Sequence, residues 1–485
     1  MAYMHSVTKA AREEINQYVD RLLAQSAVCL DSQRTAEEIM GLLTDDATLS
    51  TPGFVLRRHI QASKLIHLDG CADLRKCGNI PWQEQAVEQA ASELSRLCYR
   101  RDGRRWAVSK ENWVRYLTDS GTQGIQRKMI FRLAIAVGMD PRQTVELLLA
   151  CGQAPYNVRD PLELTCWFYQ SFPTVCRWSL VQEQIEEWKH FTSKSERLVE
   201  DPADHDDTIE GETRQLERQV SNLLRNLEAS QDAREAGQKF LALLTENDSR
   251  LKGYSRTARS AYLHLADALA VLYGAGGGDN LTALISAMYQ RQGWNFETLL
   301  QTMQDERYIF RGARADEGAA QWEECVFDQV LGKIAMFAKR YPVRAQNVRR
   351  GKAGVNRQDI LFLSYFLITG YLEANEETAA QFEKYVKNRL NSFLEQKDHR
   401  FEAPLSGEAM LDQGVGEVLP YLRRLRRRPN AKQKFDLCRR ALNQLLSVFD
   451  FHAVYYPAAF DRFVLLSLLT DRPGWTTRYL FGDEV

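Results

Sequence analysis

The chain has 485 residues, of which 44% are hydrophobic, so it is long enough for two to four domains with packed cores. Its 63 Lys and Arg against 64 Asp and Glu give a formal net charge of -1. This balance excludes a global field that would draw the whole molecule onto nucleic acid or an anionic membrane, so any such binding must come from local patches.

Nine cysteines occur without CxxC spacing, the first residues lack an apolar signal core, and no run of about 18 apolar residues is present. These features predict a soluble cytoplasmic protein with reduced thiols and no membrane partner.

Apolar residues recur mainly at helical spacing, and few segments alternate with period two. The predicted fold class is therefore all-α, with multidomain helical bundles and one small basic β-hairpin. We expect an N-terminal helical domain at 1–195, an acidic linker at 196–213, a central helical domain at 214–345 and a C-terminal helical domain at 346–485.

The first basic cluster surrounds Asp102-Gly103, a dipeptide that favours a two-residue hairpin turn. Four arginines flank the turn, and as a wing they would grip phosphates: Arg100, Arg101, Arg104 and Arg105. The alternative is a solvated turn between two helices, because unpaired charge prefers water.

The next stretch, residues 126–169, predicts three short helices joined by tight turns. Apolar residues from Ile130 to Val137 recur at i, i+3, i+4 and i+7, and Gly138 ends this first helix. Asp140 and Asp160, each followed by Pro, open the second and third helices as N-caps with a first-turn Pro.

Residues 127–139, RKMIFRLAIAVGM, resemble the fourth helix of the lambda-repressor/Cro-like (XRE) helix-turn-helix family. The residues that follow, as far as 168, are similar to the continuation of that helix in proteins of Gram-positive anaerobes. The resemblance implies an XRE-like unit at 105–170, in which Arg127 and Lys128 would contact nucleic acid. The chain departs from the family because too few residues lie between Trp113 and Arg127 for two DNA-reading helices. The unit is therefore either a working DNA-binding unit or a structural three-helix remnant.

Two further basic stretches lie in the second half of the chain. Residues 339–357 carry seven basic residues and no acid, with Arg349, Arg350 and Lys352 as candidate phosphate ligands. The most concentrated positive charge precedes Pro429. It consists of Arg423, Arg424, Arg426, Arg427 and Arg428, extended by Lys432 and Lys434. The negative end of the helix dipole accounts for one or two of these arginines but not for five.

The segment at 445–471 partly repeats the pattern of the earlier three-helix stretch. Each has a Leu pair, a Tyr, a Pro and then an acidic residue that opens an apolar helix. This similarity predicts two helical units with similar terminal hairpins, one in each half of the chain.

No catalytic or cofactor motif is present, and His67, Cys71 and Cys77 lack a fourth ligand at zinc spacing. The sequence therefore predicts no enzyme, no cofactor and no metal. The first hypothesis is a nucleic-acid-binding regulatory protein that uses the XRE-like unit and the Arg-rich patches. The alternative is a helical scaffold for protein partners, or an accessory factor of a mobile-element or host-defence system, without DNA readout. The oligomeric state stays open.

Overall fold

The computed structural model describes residues 50–63, 65–66, 84–119, 125–172, 175–194, 209–227, 233–251, 256–275, 281–291, 340–350, 353–397, 407–449 and 451–469, with 330, 333–334 and 337. All regular elements in these ranges are helices, and none of the described residues forms a strand. The all-α fold class is confirmed. The zinc hypothesis at His67, Cys71 and Cys77 lies outside the described residues.

The helices form two compact units. Unit 1 takes in the described residues of Pro52–Gly253, and unit 2 takes in Ser50, Thr51 and the described residues of Tyr254–Ala313 and Glu317–Val485. The helices of unit 1 are α1 (Pro52–Ser63), α2 (Glu84–Asp102), α3 (Lys110–Leu117), α4 (Arg127–Ala136), α5 (Pro141–Ala150), α6 (Pro161–Gln170), α7 (Trp178–Lys194), α8 (Ile209–Leu227), α9 (Ala233–Glu246) and α10 (Asp248–Leu251).

The helices of unit 2 surround one helix that is buried along most of its length. They are α11 (Arg256–Tyr273), α12 (Leu281–Arg291), α13 (Arg357–Glu373), α14 (Glu376–Lys397), α15 (Gly407–Arg426), α16 (Ala431–Val448) and α17 (Ala459–Ser467). A further helix covers 340–349. Helix α13 packs against α11, α15, α16 and α17, and its residues Ile360 to Tyr371 are buried on every side. Helix α13 is therefore the central helix of unit 2.

The predicted central domain at 214–345 is divided between the two units. Helices α8 and α9 belong to unit 1, whereas α11, α12 and the helix at 340–349 belong to unit 2. The reason is apolar packing: the ring of Phe240 on α9 stacks on Phe168 of α6 with centroids 4.1 Å apart. Helix α8 begins at Ile209, so the last residues of the predicted linker are helical.

The three short helices at 126–169 form where the sequence predicts them. Gly138 has φ of 74° after α4, a left-handed conformation that glycine adopts without a Cβ clash. Asp140 and Gln143 form a capping box at the start of α5, and the Asp160 side chain accepts from Glu163 N at 3.0 Å. Local chemistry therefore fixes the bounds of α4, α5 and α6.

The β-hairpin predicted at Asp102-Gly103 is wrong. Helix α2 continues through Asp102, whose carboxylate accepts from Ser179 N at 2.9 Å at the start of α7. Gly103 donates to Tyr99 O at 3.0 Å, and its φ of 73° ends the helix. The positive φ that favours glycine in a hairpin turn is used here at a helix C-terminus.

An arginine clamp closes the three-helix arrangement of unit 1. Arg127, the first residue of α4, donates from Nε and Nη2 to the two carboxylate oxygens of Glu163 on α6, the second at 2.7 Å. Its Nη1 and Nη2 also donate to the carbonyls of Ala154 and Pro155, each at 2.6 Å. The same carboxylate accepts from Asn157 N at 2.6 Å. One guanidinium thus joins the start of α4 to the loop before α6.

Unit 2 contains the same clamp. Arg357, the first residue of α13, donates to both carboxylate oxygens of Asp461 on α17, at 3.0 and 2.6 Å. It also donates to the carbonyls of His452 and Ala453, at 3.4 and 2.9 Å. Tyr455 N donates to the Asp461 carboxylate at 2.8 Å. Both charged side chains are buried, with exposures of 1% and 0%.

The residues that form the two clamps have the same spacing along the chain. The two carbonyls, the amide and the carboxylate stand at 154, 155, 157 and 163 in unit 1 and at 452, 453, 455 and 461 in unit 2, with identical intervals. The helix-ending bond from Gln153 N to Leu148 O has its counterpart from Phe451 N to Leu446 O. The predicted pair of similar terminal hairpins is confirmed. In unit 2, α14 and α15 separate the first and second helices of the arrangement, which a short turn joins in unit 1.

Candidate nucleic-acid interface

Three of the basic residues predicted in unit 1 are committed to internal contacts. Arg101 donates to the carbonyls of Ala136 and Cys176, at 3.3 and 2.7 Å. Lys128 donates to Gln182 Oε1 at 3.0 Å and lies 5.9 Å from the ring centroid of Trp178. Arg127 is the clamp residue. These three side chains stabilise unit 1, so we correct their assignment as phosphate ligands.

A different set of cations in unit 1 faces solvent. Arg96, Arg100 and Arg104 are exposed, and no described residue forms an ion pair or a side-chain hydrogen bond with them. Arg105 is 74% exposed, stacks over the ring of Trp106 at 4.6 Å, and lies 3.8 Å from Glu186. Guanidinium groups therefore remain available at the end of α2 and in the turn that follows.

Arg96 is absent from the predicted basic cluster, because the residues around Asp102-Gly103 were predicted to form a hairpin and not the end of a helix. In the longer helix, Arg96, Tyr99 and Arg100 stand at i, i+3 and i+4 and share one face. They line one shallow depression, open to solvent, together with Ser95. The signal that finds this set is helical periodicity carried through Asp102.

Three arginine-rich positions of unit 2 also make internal contacts. Arg423 donates to both oxygens of Glu383, at 3.0 and 2.5 Å, and so ties α15 to α14. Arg426 donates to Ala374 O at 3.1 Å and to Glu376 Oε1 at 2.9 Å. Lys434 donates to Leu469 O at 3.1 Å. These residues hold the end of α15 and the start of α16 in place, and we correct their assignment as phosphate ligands as well.

The remaining arginines at this junction are exposed. Arg424 lies on the last turn of α15, and Arg427 and Arg428 follow it. Within the described ranges, no side chain pairs with any of the three. Arg428 has φ of 52°, which directs the chain from α15 into the N-cap of α16 at Asn430. The turn after α15, held by its internal arginine contacts, thus carries three exposed guanidiniums without a partner among the described residues.

Of the third set of predicted phosphate ligands, Arg349, Arg350 and Lys352, only Arg350 is exposed among the described residues. Arg350 is exposed just after the helix at 340–349, whereas Arg349 is half-buried and makes an internal interaction. Lys352 lies outside the described residues. The backbone of Lys432 belongs to α16, but its side chain is not among those that the structure describes.

Most residues of the three-helix unit in unit 1 are buried. Every residue of α6 from Glu163 to Gln170 is buried, as are Leu147 to Ala150 on α5. The fully exposed positions on the three helices are Lys128 and Arg142, and both make internal contacts. A helix that reads DNA presents three or four side chains to base edges in the major groove.

The buried thiols do not form nucleophilic sites. Burial raises the pKa of Cys176 and that of Cys438 to about 12, so both stay protonated at neutral pH. No group of three or more His, Cys, Asp or Glu side chains converges as a metal site within the described ranges. No described helix is both long and apolar enough to cross a lipid bilayer.

Comparison of the chain with protein-family models, with curated proteins and with solved structures finds no match.

Proposed function

We propose that this protein is a non-enzymatic regulatory protein that binds nucleic acid through phosphate contacts, without reading base sequence through its three-helix unit. One observation carries the proposal: each compact unit has a cluster of three exposed arginines that no described acidic side chain neutralises. The clusters are Arg96, Arg100 and Arg104 in unit 1, and Arg424, Arg427 and Arg428 in unit 2.

The use of arginine at these positions favours a phosphate group as the ligand over a diffuse acidic protein surface. All six exposed positions are arginine, and the planar guanidinium donates two parallel hydrogen bonds to one phosphate. Lysine would serve equally well for a solubilising surface. Because the chain's net charge is -1, attraction must come from local clusters such as these and should depend strongly on salt.

The rigid setting of the unit 2 cluster adds to the argument. Arg423 and Arg426 immobilise the end of α15, so the neighbouring guanidiniums are presented from a fixed backbone. Less side-chain and backbone entropy is lost on binding when the binding groups are held in place.

The scaffold hypothesis stays as the second candidate. The burial of α5 and α6 on nearly all sides supports it, because it makes the XRE-like unit a structural core. In that case the resemblance to the repressor family reflects shared helix packing, and the partner is a protein. A cytoplasmic location suits either candidate, since Cys98, Cys151, Cys166, Cys176 and Cys438 are free thiols.

A gel-shift titration on several unrelated DNA duplexes and single strands at low salt tests the proposal. The variant Arg424→Gln, Arg427→Gln, Arg428→Gln should bind every tested duplex more weakly by a similar factor, because phosphate contacts carry no sequence information. A matched control removes three other exposed cations, Arg218, Arg225 and Lys384, by the same change to Gln.

The control should retain wild-type affinity although its net charge changes equally. Equal losses in the control and the test variant would mean that total charge, not the cluster, governs binding. If the wild-type protein binds neither duplex nor single strand at low salt, the scaffold hypothesis takes precedence.

A further inference from the structure

Tyr99 is a large aromatic side chain left in solvent. Its side chain is 56% exposed, and the only other exposed large apolar side chains among the described residues are Phe191 and Val343. Tyr99 stands on the last turns of α2, where the ring packs against no described aromatic side chain.

The surroundings of Tyr99 are cationic. Arg96 and Arg100 lie one turn apart on the same face of α2, on either side of the tyrosine, and line the same open depression. Both guanidiniums are free of described partners. Arg104 follows after Gly103 and extends the positive charge past the end of the helix.

A second aromatic group lies close by in the sequence. The Arg105 guanidinium covers the half-buried Trp106 ring at 4.6 Å. Guanidinium groups and aromatic rings are the two kinds of planar side chain on which nucleobases stack. Residues 96–106 therefore combine free cations with flat apolar surfaces.

This combination is the one that proteins use for single-stranded nucleic acid. A basic surface follows the backbone, and exposed aromatic rings stack on bases, which is possible for every base because each has a flat face. In a duplex the base faces are covered by neighbouring bases, so a ring such as that of Tyr99 has nothing to stack on.

We infer that the surface formed by Arg96, Tyr99, Arg100 and Arg104 binds a single strand of nucleic acid, with phosphates on the arginines and one base stacked on Tyr99. The inference rests on the proposed function and narrows it, because it assigns single strands to unit 1. Duplex binding through the other arginines does not require the tyrosine ring.

Fluorescence anisotropy with labelled oligothymidylate, oligouridylate and a mixed-sequence duplex tests the inference on the full-length chain. Tyr99→Ala should weaken binding of the two single strands by roughly 5- to 100-fold, the range for losing one stacking aromatic, and leave duplex affinity unchanged. Tyr99→Phe keeps the ring and should bind single strands within about twofold of wild type, which excludes a role for the hydroxyl.

Phe191→Ala is the matched control, because Phe191 is an exposed aromatic of the same unit, 50% exposed, on α7. It should leave all three affinities unchanged. Wild-type single-strand affinity in Tyr99→Ala overturns the inference, and so does an equal loss for single strand and duplex. If the wild-type protein binds the duplex while one of these two outcomes overturns the inference, the proposed function still stands. Absence of binding to all three probes in the wild type overturns both.

Discussion

Arg357 and Asp461 form a two-point ion pair in which both side chains are almost completely excluded from solvent, with nitrogen to oxygen distances of 3.0 and 2.6 Å. The pair joins the first turn of α13 to the first turn of α17. Burial alone would raise the pKa of the Asp461 carboxyl. The Arg357 guanidinium, His452 and the Tyr455 amide together lower it by more than burial raises it, so the pKa lies below the ordinary value. The carboxylate is therefore ionised where it meets the arginine.

Removal of one partner should destabilise the fold strongly. Arg357→Met leaves a buried carboxylate without its counter-charge, and we expect a loss of about 3–5 kcal/mol in the free energy of unfolding in urea. The double variant Arg357→Met, Asp461→Leu should lose less than the sum of the two single variants, because no isolated charge remains. Additive losses would show that the two side chains act independently.

Arg100 and Arg101, which are neighbours at the end of α2, should differ in their contributions to stability and to nucleic-acid binding. Arg101→Gln removes charge-assisted bonds to two carbonyls, each worth about 1.5–3 kcal/mol, and should lower the unfolding free energy measurably. Arg100→Gln changes an exposed side chain and should stay within about 0.5 kcal/mol of wild type. Nucleic-acid affinity should show the reverse order. Equal stabilities of the two variants would contradict the assignment of Arg101 as an internal residue.

The core of the three-helix unit provides a stability test that does not depend on function. Leu133 on α4 is 1% exposed, so Leu133→Ala should cost about 2–5 kcal/mol, the range for truncating a buried leucine. Chemical denaturation measures it. A change within about 0.5 kcal/mol would place Leu133 at the surface.

The Arg423 and Glu383 pair predicts a dependence on acid pH. The hydrogen bonds from Arg423 and Tyr371 lower the pKa of Glu383 from its ordinary 4.5 to about 2. Because the folded-state pKa is depressed, the pair's contribution is complete above about pH 4.5 and is lost as the pH falls towards 2. The stability difference between wild type and Glu383→Gln should therefore shrink between about pH 5 and about pH 2.5 in urea titrations. A constant difference would exclude a role for this carboxylate.

Local signals in the sequence were sufficient for the helices of the three-helix unit. Asp140 with Pro141, Asp160 with Pro161, and Gly138 specify where α4 ends and where α5 and α6 begin, since caps and prolines act within one turn. The run from Ile360 to Tyr371 in α13 carries the same kind of local signal, because a stretch that is apolar on nearly all sides has no solvent face.

The hydrogen-bond and ion-pair partners of the arginines were not predictable, because these partners lie far away along the chain. Arg127 finds Glu163, Arg101 finds Cys176 O, and Arg357 finds Asp461 only after the helices pack. From the sequence alone, each basic stretch looked like one patch. The structure separates the buried or bonded members from the free ones, and it reveals Arg96 and Tyr99 beside Arg100 once α2 extends past Cys98.

The measurement that tests the central claim most directly is the salt dependence of nucleic-acid affinity. The logarithm of the affinity of the wild-type protein should fall linearly with the logarithm of the salt concentration, with a slope of about -0.9 per phosphate contacted in duplex DNA. Replacing Arg96, Arg100, Arg104, Arg424, Arg427 and Arg428 with Gln should flatten this duplex slope by roughly two to three, the share of the three unit 2 arginines, and leave the circular dichroism spectrum unchanged. An unchanged slope in this variant, or no binding by the wild-type protein at low salt, would contradict the claim that these arginines contact phosphate.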